Sequence, residues 1–337
     1  MDIILIGFGN VGQGLAQILR DKTGELREKH YFTARIVGVA TRSRGTLYRP
    51  DGLDLNALLN GIENYPDQPG LERDWTAAQL VRESRADVLV EASPTNLQTG
   101  QPALDLCYAA FESGKHVVLA NKGPVAVAYA DLQAKAKAAD KLLRFEATVM
   151  GGTPAIQLAM QSLAGCEIKS ARGILNGTTN YMLTQMDGGM SYADALVQAQ
   201  ALGYAEADPS ADVDGWDAAS KAIILAAALF GVELKVNEMS VQGISGITAE
   251  QLAEARAAGE RWKLIAQITP EGASVAPARI PIGHPLASVS GSTNAVTYST
   301  DLLGDVTLVG AGAGGTQTGF GILSDLLHIA QFFMLPQ

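Results

Sequence analysis

Along the first 150 residues the apolar positions fall into short unbroken runs separated by amphipathic stretches; beyond them the runs lengthen and take on helical spacing. The runs at 3–6, 36–40, 88–90, 117–119 and 142–145 are too short for helices and lack polar alternation, the pattern of strands buried on both faces. Between them, residues 11–20, 76–83, 102–113 and 129–139 carry helical periodicity. Strand–helix alternation of this kind predicts a parallel sheet with helices on both sides. Residues 42–75 are polar and rich in Gly, Pro and Asn, and read as a long surface excursion.

The character changes after the Gly-Gly-Thr-Pro turn at 151–154. Alanine-rich helices are expected at 154–163, 181–186, 192–202 and 216–230, interleaved with strand-like runs at 168–175, 275–282 and 295–299. This is an α+β pattern. The tail returns to glycine between 310 and 321 and closes on a helical stretch, 322–333. The expected organisation is therefore an α/β domain over 1–146, a second α+β domain over 147–304, and a segment, 305–337, returning to the first. No internal repeat is visible.

Composition narrows the function classes. With 337 residues, 47% hydrophobic and 18% charged, the chain has material for two packed cores. Its 25 basic against 35 acidic side chains leave a net charge of −10, which argues against nucleic acid or an anionic membrane as partner. The longest apolar run, 222–230, is far short of the ~20 residues of a membrane span. The two cysteines, Cys107 and Cys166, lack metal-ligand spacing and read as buried thiols in a reducing, cytoplasmic compartment.

The first chemical signal is Gly7-x-Gly9-x-x-Gly12, placed directly after the first strand and at the mouth of a helix. Such a loop makes a tight turn, lets backbone approach a pyrophosphate, and packs helix against strand. With its intervening Phe8, Asn10 and Val11 it predicts a Rossmann-type dinucleotide site, the helix N-terminus facing the phosphates. After the second strand comes Thr41-Arg42-Ser43-Arg44, which has no carboxylate for a ribose hydroxyl and two guanidinium groups suited to a 2′-phosphate. NADP is expected, with NAD possible; two solvated loop arginines are the bland alternative.

Four further segments carry candidate chemistry. Asn121-Lys122 follows a buried strand, where α/β enzymes hold ligands, though most lysines are merely solvated. The polar loop Asn-Gly-Thr-Thr-Asn-Tyr at 176–181 joins a strand to a helix, and Thr178 could cap that helix and aim N–H groups at a carboxylate. Residues 202–228 set Glu206, Asp208, Asp212, Asp214 and Asp217 beside a strongly apolar helix. Asp217 and Lys221, at i and i+4, share one face of it. A surface ion pair is the bland reading, but a lysine on a buried helix is costly unless paired or functional. The last segment, Gly-Ala-Gly-Ala-Gly at 310–314, is small enough for close approach to a cofactor.

Taken together these motifs resemble the homoserine dehydrogenase family almost end to end. The most specific are Asn-Gly-Thr-Thr-Asn-Tyr and the Leu-Gly-Tyr-x-Glu-x-Asp-Pro segment at 202–209, with its downstream Asp and Lys. The resemblance implies that Lys122 and Lys221 are the two lysines of the hydride-transfer site, with Lys221 moving the proton. It implies that Glu206 and Asp217 hold the substrate, with Asp212, Gly177, Thr178 and Tyr204 in the same pocket. Ser93, Gly203 and Gly314 would lie near the nicotinamide. It further implies a monovalent cation, sodium, held mainly by backbone carbonyls of Glu146, Val149, Gly151 and Thr153; Met150 stands where the pattern has a smaller residue. A homodimer is implied, and an activity in threonine and methionine biosynthesis, without a C-terminal regulatory domain.

The residue types fit such chemistry. Hydride delivery to the aldehyde carbon of aspartate semialdehyde makes an alkoxide, which a cationic lysine can stabilise and protonate. Two rivals fare worse. An aldehyde-oxidising dehydrogenase needs a cysteine nucleophile, and neither cysteine lies in a motif-bearing loop. A non-catalytic NADP sensor has no use for two lysines and an ordered set of carboxylates.

Overall fold

The computed structural model describes residues 1–334 and divides the chain into two units, Met1–Gly152 with Gly314–Gln337, and Thr153–Ala313. In chain order the first unit contains β1 (Asp2–Ile6), α1 (Asn10–His30), β2 (Arg35–Thr41), β3 (Gly45–Tyr48), α2 (Leu55–Leu59), α3 (Ala77–Glu83), β4 (Val88–Glu91), α4 (Ala103–Glu112), β5 (His116–Leu119), α5 (Lys122–Ala138) and β6 (Leu143–Arg144). Its sheet has the order β3-β2-β1-β4-β5-β6, parallel except for the β2–β3 hairpin. Strand order reverses at β1, with β2 on one side and β4 on the other. The carboxyl ends of these two strands are where an open α/β sheet offers its ligand crevice.

The short apolar runs of the sequence are these strands: β1, β4 and β5 are buried almost throughout. Two local expectations fail for identifiable reasons. The excursion at 42–75 is not without structure, because it opens with β3 and carries α2 and a short 3₁₀ turn, Ile62–Asn64. Helix α5 starts at Lys122 rather than near 129. Gly123 and Pro124 read as breakers, yet they occupy the first turn, where a proline costs no hydrogen bond, and the helical backbone breaks only at Ala128.

The second unit runs α6 (Ala155–Gln157), β7 (Ile168–Ile174), α7 (Gly177–Asp187), α8 (Tyr192–Ala201), α9 (Ser210–Val213), α10 (Trp216–Phe230), β8 (Ser240–Val241), α11 (Ala249–Ala257), β9 (Glu260–Thr269), β10 (Gly272–Pro281), α12 (Pro285–Ser288), β11 (Thr293–Thr300) and β12 (Gly304–Ala311). The strand order is β12-β11-β7-β9-β10-β8, antiparallel but for β8–β10. Helices α7 and α10 pack on the sheet, and Ile174, Ile265, Ile280, Leu286 and Ala295 form a buried cluster. The helix expected over 154–163 is one α turn followed by a π-helical turn, Leu158–Ser162.

The chain then re-enters the first unit as α13 (Gly315–Met334), from Gly314 and not from 305, because 304–311 is strand β12 paired with β11. The helix also begins seven residues before the expected 322. Its glycines serve contact: a Cβ on Gly14 would lie 2.2 Å from the Gly315 carbonyl oxygen, and one on Gly319 would lie 2.6 Å from the Leu15 nitrogen. Helix α13 thus lies tight on α1, with Ile322, Leu326 and Ile329 fully buried in the first core. Among the described residues no helix is long and apolar enough to cross a membrane.

Candidate active site

In the first unit the three motif glycines occupy three different environments. Gly7, at φ +92°, has no room for a side chain: a Cβ would sit 2.5 Å from the Ala92 carbonyl oxygen, and its N–H is held by Ala40. A Cβ on Gly12 would meet the Gly7 carbonyl at 2.9 Å, while Gly9 borders open space. Gly9 is also the N-cap of α1 without a side-chain cap, and no acidic residue lies in the first turn, so exposed Asn10 and partly exposed Val11 begin a helix end able to face an anion. Phe8 is buried beneath the loop.

Arg42 and Arg44 lie in the tight turn between β2 and β3. Arg42 is exposed. Arg44 turns back, its backbone N–H bonding the Thr41 hydroxyl at 3.0 Å and its guanidinium donating to the Phe8 carbonyl at 2.5 Å. One arginine is therefore available to a 2′-phosphate, and the other ties the turn to the dinucleotide loop. At the ends of β4 and β5, Asn121 caps α5 by accepting from Gly123 N–H at 2.9 Å and reaches the Ser93 hydroxyl at 3.3 Å. Lys122 is the first residue of that helix.

The expected cation loop belongs to the same unit up to Gly152. The Glu146 N–H donates to buried Asp325 of α13 at 2.8 Å, and the Thr148 hydroxyl to the Phe145 carbonyl at 2.6 Å. Val149 and Met150 are fully buried, and the chain turns through left-handed Met150 (φ 58°) and Gly151 (φ 60°). Thr153 belongs to the second unit, where its hydroxyl bonds the Ala311 carbonyl at 2.9 Å. Neutral carbonyl oxygens suit a hard monovalent ion. No group of three or more His, Cys, Asp or Glu among the described residues could hold a metal.

The second unit assembles the charged residues. Lys221, buried on α10, donates to Asp217 Oδ2 at 2.6 Å and to the Leu175 carbonyl, at the end of β7, at 2.7 Å. Asn176 caps α7 by accepting from Thr179 N–H at 2.9 Å, and its amide donates to Asp212 at 2.6 Å and to Asp217 at 3.0 Å. Burial, with the charge of Asp217, pushes the Asp212 carboxyl above the usual range against the pull of the Asn176 hydrogen bond. The cap is thus Asn176 and not Thr178, whose hydroxyl instead bonds the Tyr204 carbonyl at 2.6 Å. A Cβ on Gly177 would lie 2.6 Å from the Ser292 carbonyl oxygen, so the start of α7 needs a glycine there.

Glu206 is exposed in the segment between α8 and α9, and its backbone carbonyl is held by Gln200 at 3.0 Å. In the same segment Gly203 takes φ +74°, and the Tyr204 ring lies 5.1 Å from that of Tyr181. Gly312 lies directly over the fully buried Asn294 side chain, and Gly314 opens the first unit's return at φ +123°. Sequence reasoning missed Asn176 as the hub joining the two aspartates, Asp325 behind the cation loop, and Glu91. The cap position of Asn176 was readable from the strand–Asn–helix pattern; its aspartate partners, 36 and 41 residues away, were not.

A family sequence profile described as homoserine dehydrogenase matches residues 154–327, and one described as homoserine dehydrogenase, NAD binding domain, matches 7–146. The NAD(+)-dependent homoserine dehydrogenase of Pseudomonas canavaninivorans is 44% identical, over 98% of this chain and 96% of its own length. The homoserine dehydrogenase of Methanocaldococcus jannaschii is also 44% identical, over 98% of each chain. A solved hyperthermophilic archaeal homoserine dehydrogenase in complex with NADPH is 30% identical, with a TM-score of 0.81 over 100% of this chain and 98% of its own.

Proposed function

This chain belongs to the homoserine dehydrogenase family, and on that premise we propose how its residues divide the reaction. It is an NAD(P)-dependent oxidoreductase that interconverts L-homoserine and L-aspartate 4-semialdehyde. The nicotinamide supplies or accepts the hydride. The second unit supplies the proton and holds the amino acid. In reduction, the oxygen of the former aldehyde takes a proton from the Lys221 ammonium, leaving an amine held by the Leu175 carbonyl and Asp217; in oxidation the same amine takes the hydroxyl proton back. The observation that carries this reading is the linked set Lys221–Asp217–Asn176–Asp212, in which one lysine is fixed by a carboxylate and a carbonyl.

Glu206 holds the substrate ammonium, with Asp212 and the Gly177–Thr178 start of α7 beside it, and Tyr204 and Gly203 bordering the pocket. In the first unit the Gly7–Gly12 loop takes the pyrophosphate, Ser93 and Lys122 meet the nicotinamide end, and Gly314 borders it. NADP is the preferred nucleotide, with NAD also accepted, because the turn after β2 offers Arg42 and no carboxylate. A relative named for NAD(+) and a solved neighbour with NADPH fit an enzyme of either habit. Sodium is held by the carbonyls of Glu146, Val149, Gly151 and Thr153, and the enzyme works as a cytoplasmic homodimer in threonine and methionine biosynthesis.

The test is a nucleotide-reduction assay with homoserine at alkaline pH, run with each nucleotide and without phosphate, and in reverse with aspartate semialdehyde. Absence of homoserine-dependent reduction of either nucleotide overturns the reading.

A further inference from the structure

Glu91, the last residue of β4, is a carboxylic acid with no exposed surface, and neither the dinucleotide motif nor the proton-transfer network uses it. Its main-chain carbonyl accepts from Ala120 N–H at 2.9 Å and Asn121 N–H at 3.3 Å, which joins the ends of β4 and β5. Its side chain makes a second tie. Oε1 accepts from Ser93 N–H at 3.2 Å. Asn121 in turn reaches Ser93 Oγ at 3.3 Å and the Pro94 carbonyl at 3.4 Å while capping the helix that begins with Lys122. The backbone of Ala92 and Ser93 is also the wall against which Gly7 closes.

The second oxygen, Oε2, is buried without a hydrogen-bond partner among the described residues, near the fully buried Cys107 thiol. A carboxyl group in such a place is expensive, and an apolar side chain of similar volume would pack against Cys107 at lower cost. Burial drives this carboxyl above its ordinary range, opposed by the polar groups of Ser93 and Asn121 beside it. What an apolar side chain could not do is accept the N–H of Ser93, whose hydroxyl Asn121 bonds. Buried polar groups that pack poorly but bond specifically fix one conformation of the segments they join.

We propose that Glu91 is a positioning residue for the cofactor half-site, its carboxyl group fixing the Ser93 amide, and through the Ser93 hydroxyl the Asn121 cap of α5, so that Ser93 and Lys122 are presented together. This rests on the reading of Ser93 and Lys122 as nicotinamide-side residues. Glu91 touches neither nucleotide nor substrate; it acts through Asn121 and the Ser93 amide. The two loops also meet through backbone, a Cβ on Gly123 lying 2.6 Å from the Asn96 carbonyl oxygen, while the Asn96 side chain bonds Gln98 and Thr99 within its own turn.

The test uses the full chain, with dihydronicotinamide fluorescence to measure NADPH binding and steady-state kinetics with each substrate varied. Glu91→Leu is expected to raise the NADPH dissociation constant and lower kcat by roughly tenfold each, with the homoserine KM within about twofold of the parent. Asn121→Asp, which removes the amide donor to the Ser93 hydroxyl and the Pro94 carbonyl, is expected to give the same pattern. Glu91→Gln keeps an acceptor for the Ser93 N–H and should hold NADPH affinity to within about threefold of the parent. A merely structural glutamate would lower the Tm and leave the split between cofactor and homoserine constants unchanged.

Unaltered NADPH binding in Glu91→Leu overturns the proposal, as does a Glu91→Gln variant no better than Glu91→Leu. Should Glu91→Leu fail to fold, Asn121→Asp decides alone, and NADPH affinity within about threefold of the parent there overturns the proposal. If the parent binds NADPH but does not oxidise homoserine, the functional reading fails while the binding measurements still judge Glu91.

Discussion

Around the dinucleotide loop of the first unit the contacts are made by main chain: Gly7 N–H to the Ala40 carbonyl, a Gly7 Cα pressed on Ala92, and an uncapped α1 N-terminus. In the second unit the corresponding work is done by side chains: Lys221, Asp217, Asn176 and Asp212 in one hydrogen-bonded chain. A site made of main chain depends on where glycines permit close approach, and most of its side chains can change without consequence. A site made of linked charges is exposed to the loss of any one member, because the remaining partner is left buried and unmatched.

The sharpest challenge to that contrast is Lys221→Ala. Turnover should fall by ~10²-fold or more while NADPH binding, measured by fluorescence titration, stays near the parent value. Near-normal turnover would move proton transfer out of the second unit. Next in size are the arginines. Arg42→Ala should weaken NADP binding by about 10–100-fold and leave NAD nearly unchanged, as expected for one charge-assisted contact. Arg44→Ala should weaken both nucleotides, because its guanidinium also holds the Phe8 carbonyl. Equal losses for both nucleotides in Arg42→Ala would make the turn a structural feature only.

Glu206→Gln should have a smaller effect, raising the homoserine KM about fivefold with the nucleotide constants fixed, since a charge-assisted bond becomes a neutral one. Unchanged homoserine saturation would remove Glu206 from the ammonium site. The smallest effect expected is on stability. His116 of β5 is buried and accepts Leu142 N–H at Nδ1, and burial together with the Lys141 charge lowers its pKa from 6.5 to about 4. Between those values the unfolded chain binds the extra proton, so this contribution is complete above pH 6.5 and is lost as the pH falls toward 4. Urea midpoints measured from pH 7 to 4.5 should fall less steeply in His116→Gln; parallel slopes would assign the acid sensitivity to other groups.

Much of this was legible from residue order where the cause is local. The strands β1, β2, β4 and β5 announce themselves as buried apolar runs, and Asp217–Lys221 as an i, i+4 pair. Legibility fails where tertiary partners decide. Strand β9 carries Lys263 and Gln267 within a stretch that follows the helical composition of α11, and only its pairing with β7 and β10 makes it a strand. Lys263 is buried there against Asn180 and the Val289 carbonyl, and burial lowers its pKa to about 8; no spacing rule reveals that environment. Likewise Asp325 meets Glu146 across 179 residues of chain, and Glu91 matters only because β4 and β5 are neighbours.

The return of α13 to the first unit has a consequence for how the molecule is made. Residues 153–313 are contiguous, so during synthesis on the ribosome they can close their own sheet as soon as they emerge. The first unit, although it begins earlier, must wait: Gly315 and Gly319, which close on α1, and the carboxylate that takes Glu146 N–H come from chain translated after the whole second unit. Nucleotide-binding competence is therefore acquired last, and a nascent chain stalled short of Asp325 would carry a finished substrate unit joined to an open dinucleotide fold.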